Sequence, residues 1–424
     1  MKVVIITLLL LPLVLGLRSG RTAQRAALSA FVFVIYSLAW YAVLALELWG
    51  NSPDGTYGSD ARYYWSAMLA VLNEGASPLD YSAPLYVYWG RLVLDTAPTQ
   101  TVSWVIVSGI LLAGNALMFL QLALTKALEK ACPGIATRTF SSFYIAITLL
   151  NLNGVIVWMA IRGLKEPLIL FVIALYVYLL ESVSYRDSSI NARALGSFLV
   201  VAASLAAFWV LNYLRPLGGA LIFPYLMYVS FRSLLKESLV GRVLALLAIT
   251  LVMTFTVPYL IERAFWLRVF QAEFGQEALQ GAPSALFALA RHGSRLALPL
   301  AWLRFVAGPG PIRALKQLLY GTVFQASTKT GDLLIFLGSM QWWTLLTGLL
   351  IIASLRPRLL MSRLSPAAGF LLLAVAIAGA YSFVYYGTGD TRHRALMYVF
   401  FNLPAALVLA QVIRRGIRRP TGSG

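Results

Sequence analysis

Residues 102–124 read V-S-W-V-I-V-S-G-I-L-L-A-G-N-A-L-M-F-L-Q-L-A-L, with no charged side chain anywhere in the run. An uninterrupted apolar stretch of about twenty residues is long enough to cross a hydrocarbon core of about 30 Å as a helix. In lipid only helices and closed barrels satisfy every backbone hydrogen bond, and this run lacks the period-two alternation of a barrel strand. It therefore predicts a transmembrane helix. Ala26–Leu48 reads the same way before it. Phe140–Ala160, Pro167–Leu180, Ala194–Leu214, Pro216–Phe231, Val243–Ile261, Leu333–Ser354, Ala367–Tyr385 and Ala395–Ile413 follow it.

Val3–Leu17 is a shorter apolar run. A secretory signal competes for this segment, but only Lys2 precedes it and no A-x-A-like site comes before Arg18. It is read as a first helix, which brings the expected count to about eleven. The composition agrees: over 424 residues, 60% are hydrophobic and 12% charged, about half the charged share of a soluble domain. The expected fold is all-α, one polytopic bundle over residues 1–424.

The net charge of +18 follows from membrane topology rather than from nucleic-acid binding, because most cations sit in short loops, where Lys and Arg set orientation. With the N-terminus outside, the cytoplasmic segments hold 18 of the 34 Lys and Arg, and 8 of the remaining 16 fall in one long segment, 262–332. Long translocated segments largely escape the rule. One cysteine, Cys132, leaves no internal disulfide and no multi-cysteine metal site.

This orientation places two large segments outside the cytoplasm, 49–101 and 262–332, with only short loops inside. No pair of matching halves suggests the inverted repeats of a transporter. Chemistry on the outer face fits better.

The first outer loop begins N-S-P-D-G-T-Y-G-S-D-A-R-Y-Y-W at residues 51–65. Pro53, Gly55 and Gly58 mark a turn. Ser59 or Asp60 then caps a helix through Arg62, Tyr63, Tyr64 and Trp65, whose aromatics place it along the membrane surface. A second amphipathic stretch runs from Tyr86 to Leu94. Asp60 has a plain reading as a helix cap. It has a sharper one as a general base that takes the proton of an attacking alcohol, strengthened if partly desolvated.

The segment G-S-D-A-R-Y-Y-W and the later Y-S-A-P-L-Y-V-Y-W resemble the start of a GT-C glycosyltransferase. Three further segments share the likeness. I-R-G-L-K-E-P-L-I-L (161–170) resembles an R-K-E-type start of a mid-chain helix, and L-R-P-L-G-G (214–219) resembles an R-P-x-G segment. G-D-T-R-H-R-A-L-M-Y-V-F-F-N-L-P (389–404) resembles a C-terminal R-Y-R-hydrophobic-P stretch, with His393 where an aromatic is common. The two large outer loops also fall where that superfamily places them, and the likeness extends to its protein mannosyltransferase and aminoarabinose transferase type.

The resemblance implies a sugar donor linked to polyprenyl phosphate and an acceptor that is a glycan, a lipid or a protein. It implies an inverting displacement with Asp60 as base, in a bacterial-type inner (plasma) membrane. The D-x-D pair that would hold a divalent cation near Asp60 is absent; a divalent cation stays open, and no other cofactor is assigned.

Arg162, Lys165, Arg215, Arg392 and Arg394 all fall near predicted outer helix ends. Ionisable groups at membrane depth are costly and are usually paired or functional. Guanidinium groups grip phosphate oxygens in a bidentate manner and would stabilise the charge left as polyprenyl phosphate departs. The plainer reading is that each anchors its helix at the headgroups. Glu166 is read as a neutraliser of Lys165 or Arg162. The candidate substrate-binding set is therefore Arg62, Tyr63, Tyr64, Arg162, Lys165, Glu166, Arg215, Arg392 and Arg394.

In 262–332, apolar runs at 285–290 and 296–306 predict surface or re-entrant helices that cover the site and meet lipid. Asn151 and Asn153, in mid-span, are expected to hydrogen-bond between helices, and Trp342 and Trp343 to pack. Two other functions stay open: an O-antigen-type polysaccharide polymerase, and a flippase or transporter of lipid-linked sugars. The latter predicts ionisable residues in mid-span.

Overall fold

A computed structural model describes residues 4–49, 59–131, 136–183, 190–215, 218–236, 239–280, 296–321, 328–358, 367–385 and 391–417. Val4–Arg18 (α1) and Arg21–Leu48 (α2) lead to two short helices, Ser59–Leu69 (α3) and Pro84–Thr96 (α4). Val102–Ala131 (α5), Ala136–Asn151 (α6), Gly154–Ile161 (α7) and Glu166–Ser182 (α8) follow. Ile190–Leu214 (α9), Phe223–Lys236 (α10) and Leu239–Gln280 (α11) precede a second short pair, Ala297–Ala307 (α12) and Pro311–Tyr320 (α13). Lys329–Leu355 (α14), Ala368–Tyr385 (α15) and Thr391–Ile417 (α16) complete the chain. No strand occurs among the described residues.

Six of these helices (α2, α5, α9, α11, α14 and α16) are long and apolar enough to cross a membrane, and the bent pair α6–α7 makes a seventh. The chain is a multi-pass, all-α membrane protein. In α5 and α16, 78% of the apolar window lies inside the protein, against 22% in α11, so α5 and α16 are central and α11 faces outward. Helix α8 packs along α5 and is buried on nearly all sides. At 17 residues it spans only about 25 Å, a length tolerable in a helix walled by protein rather than lipid.

Three predicted spans differ from the structure. Phe140–Ala160 is broken by a 61° bend between Asn151 and Gly154. The Asn153 side chain accepts from Val155 N (2.9 Å), starting α7, and donates to Gly338 O of α14 (2.9 Å). Asn402 of α16 donates to Leu150 O at the end of α6 (3.0 Å) and lies 3.3 Å from Asn151 Oδ1. The mid-span asparagines thus do bond between helices, and they also cap the break, where orphaned backbone groups in lipid would be costly. Pro216–Phe231 becomes a short 3-10 turn, Gly218–Ile222, followed by α10. Gly218 lies against the Leu211 carbonyl and Gly219 against Phe208, positions a side chain would fill. Val243–Ile261 extends to Gln280, because its polar continuation contains no proline to stop a helix.

Gly154 packs on the α14 backbone at Leu334, and Gly338 packs on Val155. Gly154→Ala would drive a methyl group into the Leu334 carbonyl, overpacking that costs about 1–3 kcal/mol. The expected result is a lower unfolding temperature in lipid; an unchanged one would show that the α7–α14 seam is loose.

Helix α8 carries a buried carboxylate at each end. Glu181 accepts from Tyr225 Oη (3.0 Å) and Arg232 Nη2 (2.9 Å), and Lys130 Nζ lies 3.6 Å away. Lys130 also donates to the Glu181 carbonyl at 2.6 Å, where a cation at a helix C-terminus is favoured. This cluster ties α5, α8 and α10 together. Glu166, at the other end, belongs to a different cluster.

Candidate active site

Glu166 opens α8, where a carboxylate meets the positive end of the helix dipole. The turn before it needs Gly163, whose φ of +67° is a left-handed conformation that other residues rarely adopt. Arg215 follows the last turn of α9, and His393 lies in the first turn of α16. These residues, far apart in the chain, meet. Arg215 Nη1 is 3.6 Å from Glu166 Oε1, and His393 Nε2 is 3.8 Å from the same oxygen. Arg215 Nη1 donates to Tyr381 Oη of α15 at 2.6 Å, and Nη2 lies 2.8 Å from His393 Nε2. A guanidinium can only donate, so Nε2 is the acceptor and the imidazole proton is assigned to Nδ1.

Glu166 has no exposed surface and His393 is 2% exposed. Burial of a carboxylate is tolerable only where charge and hydrogen bonds answer it, and Arg215 supplies the charge. The Tyr381 ring stacks on His393 (centroids 4.5 Å, 12°) and on Phe305 of α12 (5.9 Å, 9°), with the Arg215 guanidinium 5.0 Å from the same ring. His393 thus both stacks on Tyr381 and sets a nitrogen toward Arg215.

Helices α3 and α4 roof this cluster. Lys165 Nζ donates to Tyr64 Oη at 2.8 Å, and the same hydroxyl lies 3.3 Å from Ser82 Oγ. Tyr63 Oη accepts from Ser82 N (3.3 Å). Tyr64 meets Tyr86 edge to face at 5.2 Å, and Trp89 of α4 donates to Ser108 of α5 (3.2 Å). Burial holds the phenols of Tyr64 and Tyr86 above the usual tyrosine range, and the charge of Glu166 pushes both the same way. Tyr64 also feels the charges of Asp60 and Arg215, which puts all four groups in one neighbourhood.

Asp60 stands exposed in the first turn of α3. Helix α3 turns its Ala61, Tyr64 and Trp65 side inward and leaves Asp60, Arg62 and Tyr63 outside. The desolvated carboxylate is Glu166. Glu166 faces Arg215 and His393, and its chain neighbour Lys165 reaches Tyr64. Adjacent positions on a helix point in different directions.

Arg162 is 9% exposed and its guanidinium lies 5.4 Å from the Trp158 ring. Arg394 donates to the Phe305 carbonyl (3.1 Å) and lies over the Phe305 ring (5.3 Å), so it anchors α12. The side chain of Arg392 lies outside the described residues, as do Cys132, residues 285–290 and His292. Tyr381 and Tyr86 were absent from the sequence-derived set. Each lies in a run whose other tyrosines and aromatics offer the same signal, so only packing singles them out.

Among the described residues no three His, Cys, Asp or Glu side chains come together to hold a metal ion. Glu166 and His393 have ligand chemistry, but both face the fixed positive charge of Arg215, which disfavours a dication between them. Trp342 is buried and stacks on Tyr398 at 4.0 Å, while Trp343 is 38% exposed; the former packs as expected.

No protein-family model and no curated protein matches the chain. Among solved structures, the chain is similar to ArnT from Cupriavidus metallidurans in the apo state, at 15% identity and a TM-score of 0.35, covering 90% of this chain and 77% of the other.

Proposed function

We propose that this chain is a GT-C-like glycosyltransferase that moves a sugar from a polyprenyl-phosphate-linked donor to an acceptor hydroxyl on the extracytoplasmic face. One observation carries the reading: four segments scattered over more than 300 residues, 58–65, 161–170, 214–219 and 389–404, converge on one buried, cation-bearing, roofed cluster. Tyr64, Lys165, Glu166, Arg215 and His393 each come from one of those segments.

In this reading Asp60 takes the proton of the acceptor hydroxyl as its oxygen attacks the anomeric carbon. The bond from that carbon to the phosphate oxygen breaks with inversion, and the electron pair leaves on the phosphate. Arg215 and Lys165 stand ready to hold that developing charge, an electrostatic role that acts without reorganisation. Arg215 is already oriented by Glu166, Tyr381 and His393, so its guanidinium is preorganised. Tyr63 and Tyr64 flank the donor sugar. Ionisable groups at helix ends, rather than in mid-span, favour this reading over a flippase.

The test is transfer of radiolabelled sugar from a panel of polyprenyl-phosphate sugars by the purified protein in lipid, with glycan, lipid and protein acceptors supplied. Label should move from one donor class to one acceptor as a single addition. A ladder of products would indicate an O-antigen-type polymerase. Absence of transfer from every donor by folded protein would overturn the glycosyltransferase reading.

A further inference from the structure

Helices α12 and α13 meet at a tight turn, residues 307–310, held by four side chains from the bundle. Arg394 donates to Phe305 O, Trp342 to Val306 O (2.9 Å), Tyr398 to Gly308 O (2.7 Å) and Ser339 to Pro309 O (2.5 Å). The two helices therefore keep a fixed relation to α14 and α16. On α12, Ala301 and Phe305 are wholly buried toward the cluster, while Leu300 and Leu303 are exposed. Arg304 belongs to that outward face, in the last turn of α12.

Arg313 extends from the first turn of α13. Burial holds the Arg304 guanidinium below the usual arginine range, and the charge of Arg313 pushes it the same way. Among the described residues neither arginine has a carboxylate partner. The two arginines flank this turn, in the last turn of α12 and the first of α13; like charges near each other repel, and an anion between them removes that cost.

The surroundings identify the source of the anion. Helix α13 buries Ala314 but exposes Ile312 (74%), Leu319 (63%) and Tyr320 (83%), with Lys316 also exposed. An exposed apolar face flanked by cations is the pattern of a helix lying in the membrane interface. Leu300 and Leu303 of α12 are exposed as well.

We propose that Arg304 and Arg313 bind the phosphate of an anionic phospholipid, with the apolar face of α13 seated in the same leaflet. Guanidinium groups suit this phosphate because they bind it through paired N–H donors. The inference does not depend on the transferase reading, since that reading uses neither Arg304 nor Arg313.

The test is native mass spectrometry of the full chain released from nanodiscs holding equal phosphatidylglycerol and phosphatidylcholine. The wild type should retain phosphatidylglycerol in excess. Arg304→Gln with Arg313→Gln should cut that excess about tenfold or more, taking each basic residue near an anionic surface to contribute about 1 kcal/mol. Arg263→Gln, a basic change elsewhere, should leave it unaltered. Equal retention of both lipids by the wild type would overturn the proposal without any variant, as would full retention by the folded double variant. Displacement of the lipid by millimolar inorganic phosphate would also overturn it, showing a site for free phosphate.

Discussion

Arg215→Gln is expected to lower sugar transfer by about 10²-fold or more and to destabilise the protein by about 3–5 kcal/mol, the cost of breaking a buried ion pair by removing one partner. Glu166 is fully buried and Arg215 is its charge partner at 3.6 Å. The guanidinium also answers Tyr381 and His393. Glutamine keeps some hydrogen bonding but removes the charge. Loss of a preorganised group that stabilises transition-state charge costs about 10²–10³ in rate. Thermal unfolding in lipid and initial transfer rates measure the two effects.

The paired change, Arg215→Gln with Glu166→Gln, separates structure from chemistry. It removes the buried charge that Arg215 offsets, so stability should return toward wild type while transfer stays lost. Recovery of both would mean that Arg215 only balances Glu166. Full activity of the single variant would remove this cluster from the site altogether.

Asp60→Asn is expected to lower transfer by about 10²–10⁴-fold, the usual range for a general base, with little change in unfolding temperature. Asparagine is nearly the same size as aspartate, and Asp60 is exposed in the first turn of α3, so α3 should keep its place over Tyr64 and Lys165. Turnover at saturating donor would fall while donor affinity stayed near wild type, because the carboxylate acts on the acceptor proton. A variant of wild-type rate would leave Asp60 as a first-turn carboxylate favoured by the helix dipole and move the search for the base inward, to the buried Glu166. A collapse of both rate and stability would show instead that the carboxylate is needed to hold α3.

The class of the fold was legible because hydrocarbon imposes a demand that sequence records directly. Backbone groups must be satisfied within the segment, so spans appear as long uncharged runs such as 102–124. Placement of cations at helix ends was legible for a similar reason, since charge in the middle of a span is costly wherever it lies. The runs could not show that Phe140–Ala160 breaks at Asn153, because the bend depends on Gly338 O and Asn402 from distant helices.

The site divides along the same line. Sequence alone singled out Arg162, Lys165, Arg215, Arg392 and Arg394 as cations near helix ends, Glu166 as a neutraliser and Tyr64 in the first outer loop. It did not determine that Glu166 faces Arg215 and His393, that Lys165 reaches up to Tyr64, or that Arg394 anchors α12. Those pairings depend on which face of each helix turns inward and which helices adjoin. Burial per residue is a local cost that composition reveals, whereas the partner that offsets it is set by long-range packing, which only the tertiary structure decides.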